Sequence, residues 1–282
     1  MKIYVAKHGG FCFGVKRAIR MASEASRDGH EVYSLGQLIH NPQVVEDLFK
    51  KGIITVDNLR RVKNKKVIIR SHGIHPAVLT MLRREKYDII DATCPRVRRA
   101  QQFVEKLVRE GYKVVIVGEK DHPEVQGLLG YAGGKEVIYS EKTTVRDKRV
   151  GIVPQTTIEI SRLQHAVTRL IPEVLEMKIY NTICYETIHR LKEALNIVKK
   201  VDVMIVVGGK NSGNTTRLYE MCRAMKPSYH IESESEIKPR WFRKVRRVGI
   251  TAGASTPREQ VWQIAKYLRQ LKTTLGRGRR AF

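Results

Sequence analysis

The sequence predicts an α/β protein made of three pseudo-threefold-related units, each built on a mainly parallel sheet. Two observations carry that prediction. Short apolar runs rich in Val and Ile alternate along the 282 residues with helix-length stretches such as 95–110 and 188–200, as they do in βαβ units. The cysteines then serve as rulers. From Cys12, Cys94 and Cys184, the glycine ending the next strand (Gly36, Gly118, Gly208) lies 24 residues on in every case. Four residues beyond those glycines stand His40, His122 and Ser212, so an offset of 28 also repeats three times. Fixed offsets of this kind mark repeated structural units.

Each unit opens on an apolar run that stops just before a cysteine: YVAKHGGFCFG at 4–14, DIIDATCP at 88–95 and MKIYNTICYE at 177–186. A strand should end there and a helix begin. A second strand follows in VYSLGQLIHNP at 32–42, VVIVGEKDHPE at 114–124 and MIVVGGKNSGN at 204–214. A third closes each unit in KVIIRSHGIHP at 66–76, RVGIVPQTT at 149–157 and RVGITAGASTP at 247–257, with the alignment slipping by a residue or two. The expected units are therefore 1–86, 87–175 and 176–282, the last with a basic tail, at the small end of the usual domain range. Parallel sheets gather ligands at the carboxyl ends of their strands, and these motifs place their polar residues there.

Composition narrows the class. At 42% hydrophobic and 29% charged the chain reads as an ordinary globular protein, not a disordered one. No apolar run reaches the roughly 18 to 20 residues of a membrane span. The amino-terminal stretch lacks the apolar core of an export signal. The expected location is the reducing cytoplasm, where four cysteines point to metal binding, catalysis or packing and not to disulfides. Fifty-three Lys and Arg against twenty-eight Asp and Glu leave a net charge of +25, which attracts anions without choosing among them.

The three equivalent cysteines read as one thiolate site. Cys222, in the helix-like run TTRLYEMCRAMK, has no counterpart and reads as a small core residue. Zinc held as Cys3His stays open, since His40, His72 and His122 lie in the same class of loop. A four-iron cluster fits better, because three thiolates leave one iron without a protein ligand. Around them, His40, His72, His122, Thr156, Thr157, Ser212, Asn214 and Ser255 form a set of neutral or weakly basic donors suited to a diphosphate. Glu124 is the one carboxylate at its repeat position, opposite Pro42 and Asn214. It reads equally as a proton donor or as a first-turn residue favoured by the helix dipole. Two competing functions are a basic nucleic-acid-binding protein with a structural metal and a zinc hydrolase. The low aromatic content, 7%, counts against the first.

These motifs, with IHNP, RSHG, GEKDHPEV, NTIC and GGKNSGNT between GFCFGVKRAI at 10–19 and TAGASTP at 251–257, resemble the 4-hydroxy-3-methylbut-2-enyl diphosphate reductase family. The resemblance implies a trefoil of three α/β domains around a central [4Fe–4S] cluster ligated by Cys12, Cys94 and Cys184. The substrate's 4-hydroxyl would bind the fourth iron. It also implies that His40, His72, Ser212, Asn214 and Ser255 hold the diphosphate of a small allylic substrate. His122 would serve both the diphosphate and the proton path, Glu124 would donate the proton, and Thr156 would help position both the substrate and the proton relay. The implied reaction is a two-electron, two-proton reductive dehydroxylation giving isopentenyl and dimethylallyl diphosphates, the last step of the non-mevalonate isoprenoid route. The implied partner is an acidic electron donor, a ferredoxin or flavodoxin, with neither membrane nor nucleic acid involved. The chain departs from the family pattern at Glu186, His189 and Leu191 after the third cysteine, at Gln101 after the second, and at Gly213.

Overall fold

The computed structural model describes residues 1–59, 62, 66–134 and 136–277. The basic pairs Arg60-Arg61 and Lys63-Lys65, and the arginine tail beyond Arg277, lie outside the described residues.

The chain runs three times through the same order of elements. The first pass is β1 (Lys2–Val5), α1 (Phe13–Ala25), β2 (Val32–Leu35), α2 (Pro42–Phe49), β3 (Ile53–Val56), β4 (Lys66–Ile69) and α3 (Pro76–Arg84). The second is β5 (Asp88–Asp91), α4 (Pro95–Arg109), β6 (Lys113–Val117), α5 (Pro123–Ala132), β7 (Glu136–Ile138), β8 (Arg149–Pro154) and α6 (Ile160–Leu170). The third is β9 (Glu176–Ile179), α7 (Tyr185–Val198), β10 (Val203–Val207), α8 (Gly213–Arg223), β11 (Ser228–Ile231), β12 (Arg247–Ala252) and α9 (Arg258–Arg277). Every strand pairing is parallel. Parallel strands covered on both faces need continuous apolar runs, and VMIVV in β10 is buried at all five positions.

Three four-stranded sheets result, ordered β1-β12-β10-β11, β3-β2-β4-β5 and β7-β6-β8-β9. The three predicted strands of each repeat are all present. A fourth, short strand (β3, β7 or β11) was not expected and forms one edge of each sheet. The sheets also cross the expected unit boundaries. β5 pairs with β4 and β9 with β8, so the strand that opens each expected unit completes the sheet of the segment before it. The boundaries at 86/87 and 175/176 thus separate strands that are hydrogen-bonded to one another. An apolar run identifies a strand but says nothing about which neighbour it will pair with. The third sheet closes in the same way, with β1 pairing to β12.

The chain packs as two compact units. One comprises Met1–Phe13, Ile39–Val45 and Tyr185–Phe282; the other comprises Gly14–Leu38 and Glu46–Cys184. The first holds the sheet β1-β12-β10-β11, with a core of Val203, Ile205, Val207, Ile250, Ile264 and Leu268 on one face and Ala194, Val198, Met204, Val206 and Cys222 on the other. The second holds the other two sheets, with cores centred on Val104, Leu107, Val114, Ile116 and Leu128 and on Tyr33, Val67 and Leu82.

Candidate active site

In the second unit, proline begins three of the helices that follow strand ends: Pro76 in α3, Pro95 in α4 and Pro123 in α5. Proline suits that position because its φ is already helical and its missing N–H has no partner there anyway. The residue before each proline caps the helix, and these caps are His75, Cys94 and His122. The His122 Nδ1 accepts from the Glu124 amide at 3.1 Å. In the neutral ring this places the proton on Nε2. α5 approaches the loop after β4 closely because Gly127 and Gly130 face it. A Cβ at 130 would lie 2.5 Å from His75 Nε2, and one at 127 would lie 3.6 Å from the Ile74 carbonyl. That approach brings the His72 ring edge-on to the His122 ring, with centroids 5.4 Å apart.

Glu124 follows on the first turn of α5 and is 1% exposed. Both its oxygens are engaged by one residue: Oε1 accepts from the Thr156 amide at 2.6 Å and Oε2 accepts from the Thr156 hydroxyl at 2.7 Å. Thr156, itself 4% exposed, sits just beyond the end of β8. Its carbonyl accepts from the Cys184 amide at 2.7 Å. One short segment thus joins the acid to the loop carrying the third cysteine. Beside it, Gln155 donates to the Thr157 hydroxyl at 2.9 Å and accepts from the Glu119 amide at 3.0 Å, fixing the loop before His122.

Cys94 is held the same way as Cys184, its amide donating to the Ser71 carbonyl at 2.9 Å. Its sulfur makes no capping hydrogen bond to α4. Burial pushes the guanidinium of Arg70, at the end of β4, below the usual arginine range. It fits against Gly36, which has φ of +72° and whose Cβ would lie 2.5 Å from Arg70 Nη1.

In the first unit, the amide of Cys12 donates to the Ala254 carbonyl at 3.1 Å. The GGKNSGN loop lies against His40, for a Cβ on Gly209 would come within 2.6 Å of the His40 carbonyl. Gly208, at φ of +143°, also leaves space taken by the hydroxyls of Thr256 and Thr215. Ser212 caps α8, its Oγ accepting from the Thr215 amide at 3.4 Å. Asn214 follows on the first turn of α8, and its Nδ2 is buried with no partner. A buried amide donor left unsatisfied costs about 1–3 kcal/mol, so an anion bound at this helix N-terminus would recover that loss. Ser255 lies half-buried in the loop between β12 and α9.

None of the four cysteines is in a disulfide. Cys12, Cys94 and Cys184 are partly exposed, whereas Cys222 is buried in the core, where desolvation pushes its thiol up to about 12. The donor set therefore fits a thiolate-held cluster at the three repeat positions and excludes Cys222.

The family model described as LytB protein matches residues 3–269. The chain belongs to the LytB family. Relatives from Geobacter metallireducens and Geotalea uraniireducens are 45% and 43% identical, each over 96% of this chain and 98% and 97% of their own lengths. Both are named 4-hydroxy-3-methylbut-2-enyl diphosphate reductase. A solved structure of (E)-4-hydroxy-3-methyl-but-2-enyl diphosphate reductase, described as the terminal enzyme of the non-mevalonate pathway, aligns with a TM-score of 0.71 at 43% identity. It covers 96% of this chain and 100% of its own. The Plasmodium falciparum E-1-hydroxy-2-methyl-but-2-enyl-4-diphosphate reductase aligns at 0.88 with 27% identity, covering 95% and 87%.

This LytB chain also has a positioning residue that the motifs did not reveal. Arg190 on α7 is 2% exposed, and its guanidinium donates to the carbonyls of His8, of Ala252 at 2.8 Å and of Gly10 at 3.0 Å. It fastens the turn before Cys12 to the end of β12. A signal did exist: Thr187, Arg190, Ala194 and Val198 fall on one helical stripe, so the arginine occupies a core position. Of the departures, Gln101 is 1% exposed, and its amide nitrogen fills the space a Cβ on Gly73 would need. His189 packs against the rings of Tyr185 and His8.

Proposed function

We propose that this chain reduces 4-hydroxy-3-methylbut-2-enyl diphosphate to isopentenyl and dimethylallyl diphosphates in the cytoplasm. The observation that carries the reading is Glu124, an acid withdrawn from water and engaged through both oxygens by Thr156. Surface carboxylates serving only a helix dipole have no need of such burial.

The reaction breaks one C–O bond, consumes two electrons and two protons, and releases the hydroxyl as water. Cys12, Cys94 and Cys184 hold a [4Fe–4S] cluster, which when bound supplies single electrons and one Lewis-acidic iron. His40, Ser212, Asn214, Ser255 and His72 take the diphosphate through neutral donors and the N-terminus of α8. The Nε2–H of His122 serves the same anion. Glu124 gives a proton to the departing hydroxyl, and the Thr156 hydroxyl, hydrogen-bonded to Oε2, holds the acid in place within the proton relay. Electrons come from an acidic ferredoxin or flavodoxin.

Anaerobic purification with iron and sulfide analysis, followed by turnover with the diphosphate and a chemical reductant, tests the reading. We expect about four irons per chain. Cys12→Ser should lose iron and turnover while Cys222→Ser keeps both. Colourless protein with stoichiometric zinc would replace this function by hydrolysis.

A further inference from the structure

α9 lies against β1 and β12 through Val261, Ile264, Ala265 and Leu268. Its other face departs from the usual pattern of a polar, solvated helix surface. Arg258, Trp262, Lys266 and Arg269 follow at spacings of four, four and three, which places them along one stripe. All four are exposed, and Trp262 is 68% exposed. A groove of about 570 Å³ runs along this stripe past Glu259 and Gln263. An adjoining hollow of about 280 Å³ continues it to Lys7 and Gly9. The charged side chains along it are four cations (Lys7, Arg258, Lys266, Arg269) against Glu259 alone.

This groove leads into the loop carrying Cys12. Arg258 donates to the Lys7 carbonyl at 3.1 Å, and its Cγ would lie 3.1 Å from a Cβ on Gly10. The Cys12 amide is bonded to Ala254, four residues before α9. Cys12 is three residues from Gly9, a span of at most roughly 10 Å of chain.

We propose that this groove is the docking surface for an acidic protein that delivers electrons by way of the Cys12 loop. The inference rests on the reductase reading for its need of electrons; the surface chemistry supplies the rest. An exposed tryptophan in the middle of a patch is the residue type that anchors protein interfaces. A ring of cations complements an acidic partner and speeds its encounter. The same residues would suit single-stranded nucleic acid, but one tryptophan offers a single stacking platform.

The test uses an acidic [2Fe–2S] ferredoxin and the full chain. Its affinity is measured by titration at low and high salt for wild type, Lys266→Glu/Arg269→Glu and Trp262→Ala. In parallel, turnover of the diphosphate is measured with ferredoxin and with reduced methyl viologen. Arg258 is left intact because it braces Lys7. We expect the double variant to bind ferredoxin about tenfold more weakly at low salt, with the difference shrinking as salt rises. Ferredoxin-driven turnover should fall with it while viologen-driven turnover stays at the wild-type level. Trp262→Ala should weaken binding at both salt concentrations. Unchanged ferredoxin affinity in both variants would overturn the proposal, as would a wild-type chain that binds single-stranded RNA through these residues and ferredoxin not at all. Absence of viologen-driven turnover in the wild type would count against the reductase reading, while the binding titration would still decide the surface.

Discussion

The two compact units carry different candidate chemistry, each within itself. In the second unit Glu124, Thr156 and His122 are linked by hydrogen bonds of 2.6–3.1 Å, and the His72 ring lies edge-on to that of His122. The first unit offers capture of an anion: Ser212 at the start of α8, the orphaned amide of Asn214 and His40 pressed against Gly209. Both oxygens of the Glu124 carboxylate are satisfied inside its own unit. The Asn214 amide is left without a partner, as expected of a group waiting for a ligand. A folded scaffold can thus keep its acid fixed while its binding loops retain unspent hydrogen-bonding capacity.

If this division holds, the largest effect belongs to the acid. Glu124→Gln should lower turnover by about 10²–10⁴-fold while substrate affinity, read by titration, stays within a few-fold. Near-normal turnover would remove the proton donor from the second unit. Next comes the anion side. Asn214→Ala should weaken diphosphate binding by roughly 10- to 100-fold, the worth of one hydrogen bond to a charged group, with a rise in KM exceeding any fall in kcat. An equal fall in kcat and kcat/KM would move Asn214 from ground-state binding to the transition state.

The smallest difference is in acid stability. In the second unit the Tyr112 hydroxyl and Arg149 hold Glu176 below the usual carboxylate range, and Lys178 does the same for Glu110. The first unit has Asp202, lowered by the Arg247 amide and guanidinium. A carboxylate lowered on folding stabilises above its unfolded value and loses that contribution as pH falls through the folded one. The window therefore lies below about pH 4.5. Hydrogen exchange between pH 5 and 3 should show protection falling first around β6, β8 and β9. Equal loss in both units would show that these exposed pairs contribute little.

Much of this was legible in the sequence, for specific physical reasons. Parallel strands advertise themselves as apolar runs, and a site assembled from equivalent loops repeats its residue spacing, so Cys12, Cys94 and Cys184 located every principal strand. The edge strands β3, β7 and β11 carry none of the repeated site motifs that mark the other strands. Strand partnership was hidden because pairing is a choice between neighbours that composition does not record, so β5 and β9 pair across the expected boundaries. Arg190 was hidden because an arginine inside a helix reads as surface until the stripe it shares with Ala194 and Val198 is seen. Glu124 could be named as acid or dipole partner, but only the fold brings Thr156 to it across thirty-two residues.

The pairing of β1 with β12 sets an order of events during synthesis. β1 must wait for its neighbour, which emerges some 240 residues later. Until then the segment bearing Cys12 has no sheet to join, and the long wait for a distant partner makes closure of this sheet a late step. Fixing of the Cys12 loop is thereby deferred until β12 and Ala254 have emerged, so a ribosome-bound fragment stopped short of β12 should hold Cys94 and Cys184 in place and leave Cys12 adrift.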